Sequence, residues 1–517
     1  VNEQSYLMTR RTAVSSLLLG AASQVVGQLP GSASTLPAAS KLERSSPESV
    51  GIDPSGILSF VDTVEQKLGG LHSFMLLRHG KVAAEGWWEP YAPNYKHMLY
   101  SLSKSFASTA MGFAVADSKV SVEDPVLSFF PEFAPEKPSE HLAAMRVKHL
   151  LMMSTGHEKD ATGPTSAAKD GNWVKAFLNL PVEHEPGSLF VYNSAATYMV
   201  SAIVQKKTGK TALDYLKPRL FDPLGISGAT WESCPRGINK GGWGLSVKTE
   251  DIARFGQCYL QGGKFDGKQV IPAKWVDEAT SKHISNGSGD TSDWAQGYGY
   301  QFWRCRHGAY RGDGAFGQFC VVLPEQDTVI AITSGLGDMQ AVLNAAWDNL
   351  LPAIKPGVLA ERNQQAFKKR LDELALKTPK GAATSPVAAK VSGKAFVLDA
   401  NDQKAKSVTF KLEGSHVSAL FQYEGGERKL EGGIGKWASG VAPFNGVAPF
   451  ANQPAEKFAG QAAWTNDNTL VMTLCFVETP YIQTVTCAFD NDSVKVDVRE
   501  NVGFGPTQRP ALVGKAV

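Results

Sequence analysis

The tetrapeptide Ser101-Leu102-Ser103-Lys104, set in Tyr100-Ser-Leu-Ser-Lys-Ser-Phe106, joins an alcohol to an amine at a spacing of three. On a helix, residues three apart share a face, so the Ser101 hydroxyl and the Lys104 amine come within hydrogen-bond reach at the helix start. A serine alcohol is a weak nucleophile until a neighbouring base takes its proton. A lysine serves as that base when burial lowers its pKa, and the Ala, Gly and Phe residues after Lys104 favour tight packing. The first N–H groups of such a helix point toward a developing oxyanion. A solvated helix face carries the same residue types, so the motif gains its meaning from opening a small-residue helix just behind two strands.

Two further stretches can complete acyl-transfer chemistry. Tyr192, in Phe190-Val191-Tyr192-Asn193-Ser194 after Pro186-Gly187, offers either a phenol that exchanges protons with a lysine or a core ring with a satisfied hydroxyl. Gly312-Asp313-Gly314-Ala315-Phe316-Gly317-Gln318 reads as a strand entry where a substrate carbonyl approaches the backbone, or as a glycine-rich hairpin turn. Competing chemistries lack their signatures. There is no Gly-x-Ser-x-Gly elbow, His149, His157 and His184 lack the His-Glu-x-x-His spacing, and the six cysteines form no Cys-x-x-Cys pair. Neither a metal nor an organic cofactor is expected. Trp173, Trp243, Trp294 and Trp303 are candidates for a pocket wall or for core packing.

The elements that would position these groups follow from pattern. A helix is expected over Ile57–Leu68, strands over Ser73–Arg78 and Lys81–Trp87, and a close-packed helix over Ser101–Asp117. Residues 124–280 read as mainly helical, broken at prolines and glycines. Strands return at Tyr298–Cys305, Phe316–Leu323 and Val329–Ser334, then a helix at Met339–Leu350. This order predicts one α/β domain whose sheet is assembled from both chain ends. Past a Thr, Pro, Gly, Ala and Ser segment at 378–389, short β-prone runs at Ser407–Leu412, Val417–Tyr423, Thr469–Val477, Thr484–Phe489 and Ser493–Val498 predict an all-β barrel or sandwich.

In this order and spacing the three chemical stretches resemble the serine β-lactamase and penicillin-binding protein superfamily. The likeness is greatest to the class C β-lactamase-like branch with its esterases, D-aminopeptidases and 6-aminohexanoate-dimer hydrolases. It spans about Pro47 to Leu350 and includes Leu77-Arg78-His79-Gly80-Lys81, Asp124-Pro125-Val126, the run His149 to His157, Gly244 to Asp251, and Pro324-Glu325. It implies a β-lactamase/transpeptidase-like catalytic domain, an antiparallel sheet flanked by helices. It further implies Ser101 as nucleophile, Lys104 as base, Tyr192 as second proton shuttle, and the N–H groups of Ser101 and Ala315 as oxyanion hole. Ser194, Gly312, Asp313 and Gly314 would face the substrate. The family's Tyr-x-Asn is here Tyr192-Asn193-Ser194, and its Lys-Thr-Gly or His-x-Gly falls on Gly312-Asp313-Gly314 without a cation. The implied substrate is therefore an ester or amide of a small molecule or short peptide, cell-wall peptide included, rather than a β-lactam. The alternative is a catalytically silent binding or sensing protein on the same fold, which the departures favour and the retention of Ser101, Lys104 and Tyr192 opposes.

The remaining expectations concern organisation and compartment. Arg10-Arg11 ahead of the apolar stretch 13–27 and a small-residue segment reads as a twin-arginine-like signal over residues 1–40, hence export to the periplasm or medium. The run is too short for a stable membrane span. The hydrolase domain is expected over 41–355, a linker over 356–390 and the β-domain over 391–517. Fifty-two Lys and Arg against fifty Asp and Glu leave +2, which gives no bulk attraction to nucleic acid. If any cysteines pair in an oxidising compartment, Cys305 and Cys320 are best placed, flanking a hairpin centred near Gly312; otherwise they are buried thiols.

Overall fold

The computed structural model describes residues 41–444 and 455–517, so the expected signal at 1–40 lies outside the described residues. In the first half, α1 (Pro54–Thr63) begins at Asp53, whose carboxylate accepts from Ser55 N at 2.9 Å, with Pro54 at the first helical position. There follow β1 (Leu71–Arg78), β2 (Lys81–Trp87), α2 (Ser103–Ala116), α3 (Ser194–Thr208) and α4 (Thr249–Leu260). The chain returns to the sheet with β3 (Trp303–Arg304), β4 (Tyr310–Gly314), β5 (Gln318–Leu323) and β6 (Thr328–Ser334), then α5 (Met339–Ala345). The sheet order is β2-β1-β6-β5-β4-β3, every neighbouring pair antiparallel, so the first strands do join the last in one sheet.

Both faces of this sheet are covered, which explains why β1 reads as an unbroken apolar run rather than an alternation. Met75 and Leu77 face the core shared with α2, α3 and α4, while Phe74 and Leu76 face a second core with α1 and α5. Helix α2 is buried from Ser103 to Ala114, a position open to it because Ala, Ser and Gly let neighbours close in on all sides. At Gly112 an added Cβ would stand 2.4 Å from the Trp275 ring.

Several expectations are corrected. The strand expected over Tyr298–Cys305 shrinks to Trp303–Arg304, and the hairpin turns at Ala315–Gly317, leaving Gly312 inside β4. Cys305 and Cys320 are not bonded. They belong to cores on opposite faces of the sheet, and all six cysteines are buried free thiols. Within the stretch 356–390, whose first part also reads as helix-prone, Gln364–Asp372 is helical and buries Phe367 and Leu371 beside β2.

The C-terminal part is a barrel rather than a sandwich. It comprises β7 (Ala395–Leu398), β8 (Ala405–Glu413), β9 (His416–Tyr423), β10 (Gly426–Ile434), β11 (Ala438–Pro443), β12 (Ala455–Asn466), β13 (Thr469–Phe476), β14 (Ile482–Asp490), β15 (Ser493–Glu500) and β16 (Leu512–Ala516). Strands run β10-β9-β8-β7-β16-β15-β14-β13-β12-β11, and a parallel pairing of β10 with β12 closes the ring. Val408, Phe410, Leu470, Met472 and Phe489 fill its interior. No helix among the described residues is long and apolar enough to cross a membrane.

Candidate active site

Ser101 lies in a single 3-10 turn, Tyr100–Leu102, that leads into α2. In such a turn residues three apart eclipse one another, and Lys104 Nζ stands 3.0 Å from Ser101 Oγ. The same amine reaches Ser194 Oγ at 2.9 Å and the Gly242 carbonyl at 2.7 Å. Asn193 caps α3, its side chain accepting from Ala195 N at 3.1 Å, and this turns Ser194 toward the lysine. The Tyr192 ring lies under the lysine, 4.8 Å from Nζ to the ring centre, and its phenol interacts with Ser101.

Lys104 is 1% exposed. Burial pushes its amine down to about 7 from 10.5, opposed by the negative charges of Asp160 and Asp313. Burial raises the Tyr192 phenol well above its ordinary value, helped by Asp313 and opposed by the interaction with Ser101 and the Arg311 charge. Near neutral pH the pair is thus a partly neutral amine beside a protonated phenol.

A cavity of about 640 Å³ opens on Ser101, Tyr192, Ser194 and Ala315, walled by Trp243, Trp294 and Trp303. Trp173 stacks behind Trp243, with ring centres 6.0 Å apart. Among the described residues, the charged side chains in the wall are two carboxylates, Asp160 and Asp313. Asp160 accepts from Ser194 N at 3.2 Å and from Thr162 Oγ1 at 2.6 Å. Asp313 is paired with fully buried Arg311, whose Nε donates to it at 2.9 Å and whose guanidinium lies 4.3 Å from the Trp294 ring centre.

Ser101, Lys104, Tyr192, Ser194, Asp313 and Ala315 are therefore brought to one place. Gly312 and Gly314 are not in the cavity wall. Their missing Cβ atoms let β4 press on the turn that holds the serine: at Gly312 a Cβ would meet Leu102 Cδ1 at 2.5 Å, and at Gly314 it would stand 1.9 Å from Leu99 O. Pattern reading missed Asp160, whose neighbours carry no motif, and the Gly242 carbonyl, which was visible only as a helix break. His149, His157 and His184 converge on no metal cluster among the described residues.

A family model for β-lactamase matches residues 61–351, more than half of the chain. The chain belongs to the β-lactamase family. This family member is 26% identical over 287 residues to the 6-aminohexanoate-dimer hydrolase of Paenarthrobacter ureafaciens, covering 52% of this chain and 73% of that one. It is 24% identical over 276 residues to penicillin-binding protein 4 of Amycolatopsis lactamdurans, covering 46% and 71%. Among solved structures, the octameric penicillin-binding protein homologue of Pyrococcus abyssi aligns with 90% of this chain and 100% of its own length, at 16% identity and a TM-score of 0.46.

Proposed function

We propose that this β-lactamase-family chain is a serine hydrolase that forms an acyl-enzyme on Ser101 and cleaves an ester or amide of a small molecule or short peptide. The observation that carries the reading is a buried amine, held at about 7, standing 3.0 Å from a hydroxyl that opens on a cavity. A neutral amine has two N–H donors and one lone pair. The Gly242 carbonyl can only accept and Ser194 Oγ is the second acceptor, so the lone pair is left for the Ser101 proton. Attack by Ser101 Oγ on the substrate carbonyl then passes its proton to Lys104. The developing oxyanion sits between the N–H groups of Ser101 and Ala315. Tyr192, a phenol at this pH, hands a proton to the leaving group and is recharged from Lys104, and water repeats the sequence to release the acid. A relative named as a hydrolase of a 6-aminohexanoate dimer supports this class of reaction.

Asp313 is balanced by Arg311, so the carboxylate in the wall that opposes a substrate carboxylate is Asp160, and β-lactams are expected to be poor substrates. A panel of p-nitrophenyl esters, D-amino acid amides, D-alanyl peptides and a chromogenic cephalosporin, run on wild type and Ser101→Ala, tests the reading. Ester or amide turnover that vanishes in the variant is expected. Turnover equal in both proteins, or none on any substrate, turns the assignment toward binding or sensing.

A further inference from the structure

The barrel reaches the nucleophile. Tyr481, the residue before β14, shares a hydroxyl-to-hydroxyl hydrogen bond with Tyr100, the residue before Ser101. The backbone two residues further back is tied to the barrel as well, Met98 N donating to Glu478 O at 2.9 Å. Tyr100 takes a left-handed φ of 47°, a conformation a bulky side chain holds only where its surroundings over-determine it. Strand β4 holds the turn from one side, and the barrel adds Tyr481, Phe504 and the Glu478 carbonyl.

A second barrel residue enters the cavity itself. Phe504, in the loop between β15 and β16, lies in the wall beside Ser101. Its ring packs edge-on to Tyr100 at 5.6 Å and lies 4.9 Å from Phe316, next to Ala315. It is 77% exposed, so its free face is available to an apolar group entering the cavity. Asn501 anchors the loop: its Nδ2 donates to Gly335 O at 2.7 Å and to Pro480 O at 2.9 Å, and its Oδ1 accepts from Ile482 N at 2.7 Å.

We infer that the β-barrel completes the active site, with Phe504 as a specificity-determining residue that covers an apolar portion of the substrate and Tyr481 as a positioning residue for the Tyr100–Ser101 turn. This rests on the reading of Ser101 as the acylated residue. The substrate class it selects is an acyl ester or amide with a chain or ring long enough to reach from Ser101 to the aromatic rim.

The test uses the full chain and p-nitrophenyl esters from acetate to octanoate. Each methylene withdrawn from water contributes about fourfold to binding, so with between one and two methylenes covered by the ring Phe504→Ala lowers the octanoate-to-acetate ratio of kcat/KM by about tenfold. Tyr481→Phe keeps the ring and removes the hydroxyl; it lowers kcat by about tenfold through misplacement of the serine and leaves KM within about twofold. A binding readout independent of turnover uses the Ser101→Ala background, where octanamide quenches the tryptophans of the cavity and Phe504→Ala weakens that binding at least about fivefold. Parallel chain-length profiles, or octanamide binding equal with and without Phe504, overturn the specificity role. Unchanged kcat in Tyr481→Phe overturns the positioning role. If Ser101→Ala hydrolyses as wild type does, the acyl-enzyme reading fails instead, and the octanamide measurement still decides whether Phe504 lines a binding site.

Discussion

Changing pH switches Lys104 between ammonium and amine, and the rate of acylation should follow. Burial holds this lysine at about 7 against an ordinary 10.5. At pH 7 about half of the molecules carry a neutral amine, whereas an unshifted lysine would supply roughly one in 3000. The kcat/KM for p-nitrophenyl acetate therefore climbs about tenfold per pH unit below about pH 6, bends near 7 and levels above about 8. Asp160 enters with a known sign: its negative charge holds the Lys104 proton on, so Asp160→Asn moves the bend to lower pH. The assay is stopped-flow release of p-nitrophenolate across about pH 5 to 10, with buffer and ionic strength fixed. A rate still climbing at about pH 10, the range of an ordinary lysine, refutes the role of the amine. A bend that moves upward in Asp160→Asn refutes the electrostatic coupling between the two groups.

Further outcomes follow from the same geometry. Tyr192→Phe keeps the ring under the lysine and removes the proton relay, so kcat falls about 10²-fold or more with little change in KM, read by steady-state kinetics. Lys104 also leaves a mark on stability. Its folded pKa lies below its unfolded value, so the unfolded chain binds more protons between about 7 and 10.5, and the lysine burdens the fold less as pH rises through that window. The Tm of Lys104→Met minus that of wild type is thus largest below pH 7 and shrinks toward 10.5, as scanning calorimetry checks. Gly314→Ala drives a methyl to within 1.9 Å of Leu99 O and 3.0 Å of Ser101 N. The variant loses about 1–3 kcal/mol in urea unfolding and loses activity beyond that loss.

The features legible in the sequence are those carried by short range. Ser101 and Lys104 lie within one turn, so their spacing alone puts them on one face. Strands β1, β5 and β6 of the catalytic sheet are likewise visible, because burial on both faces makes them dense in large apolar residues, whereas the glycine-bearing β4 does not read as a strand. What stayed hidden depends on tertiary placement. The Gly242 carbonyl is 138 positions from the lysine it binds, and Tyr481 is 381 positions from Tyr100. Strands β10 and β12 escaped notice for a different reason. Where the barrel closes, Gly432 lies against Ala462, and a Cβ on Gly460 would stand 2.0 Å from Glu431 O. That close approach requires small residues, which dilute the β-branched and aromatic signal by which strands are read. The glycines of β4 illustrate the same ambiguity, since a glycine that admits a substrate and one that admits a neighbouring turn look identical in sequence.

Acylation of Ser101 is the central claim, and covalent labelling addresses it whatever the natural substrate is. Wild-type protein treated with a fluorophosphonate probe at about neutral pH and digested should show one adduct by mass spectrometry, on the peptide carrying Ser101, and Ser101→Ala should show none. Equal labelling of the two proteins, or an adduct confined to another residue, would contradict it.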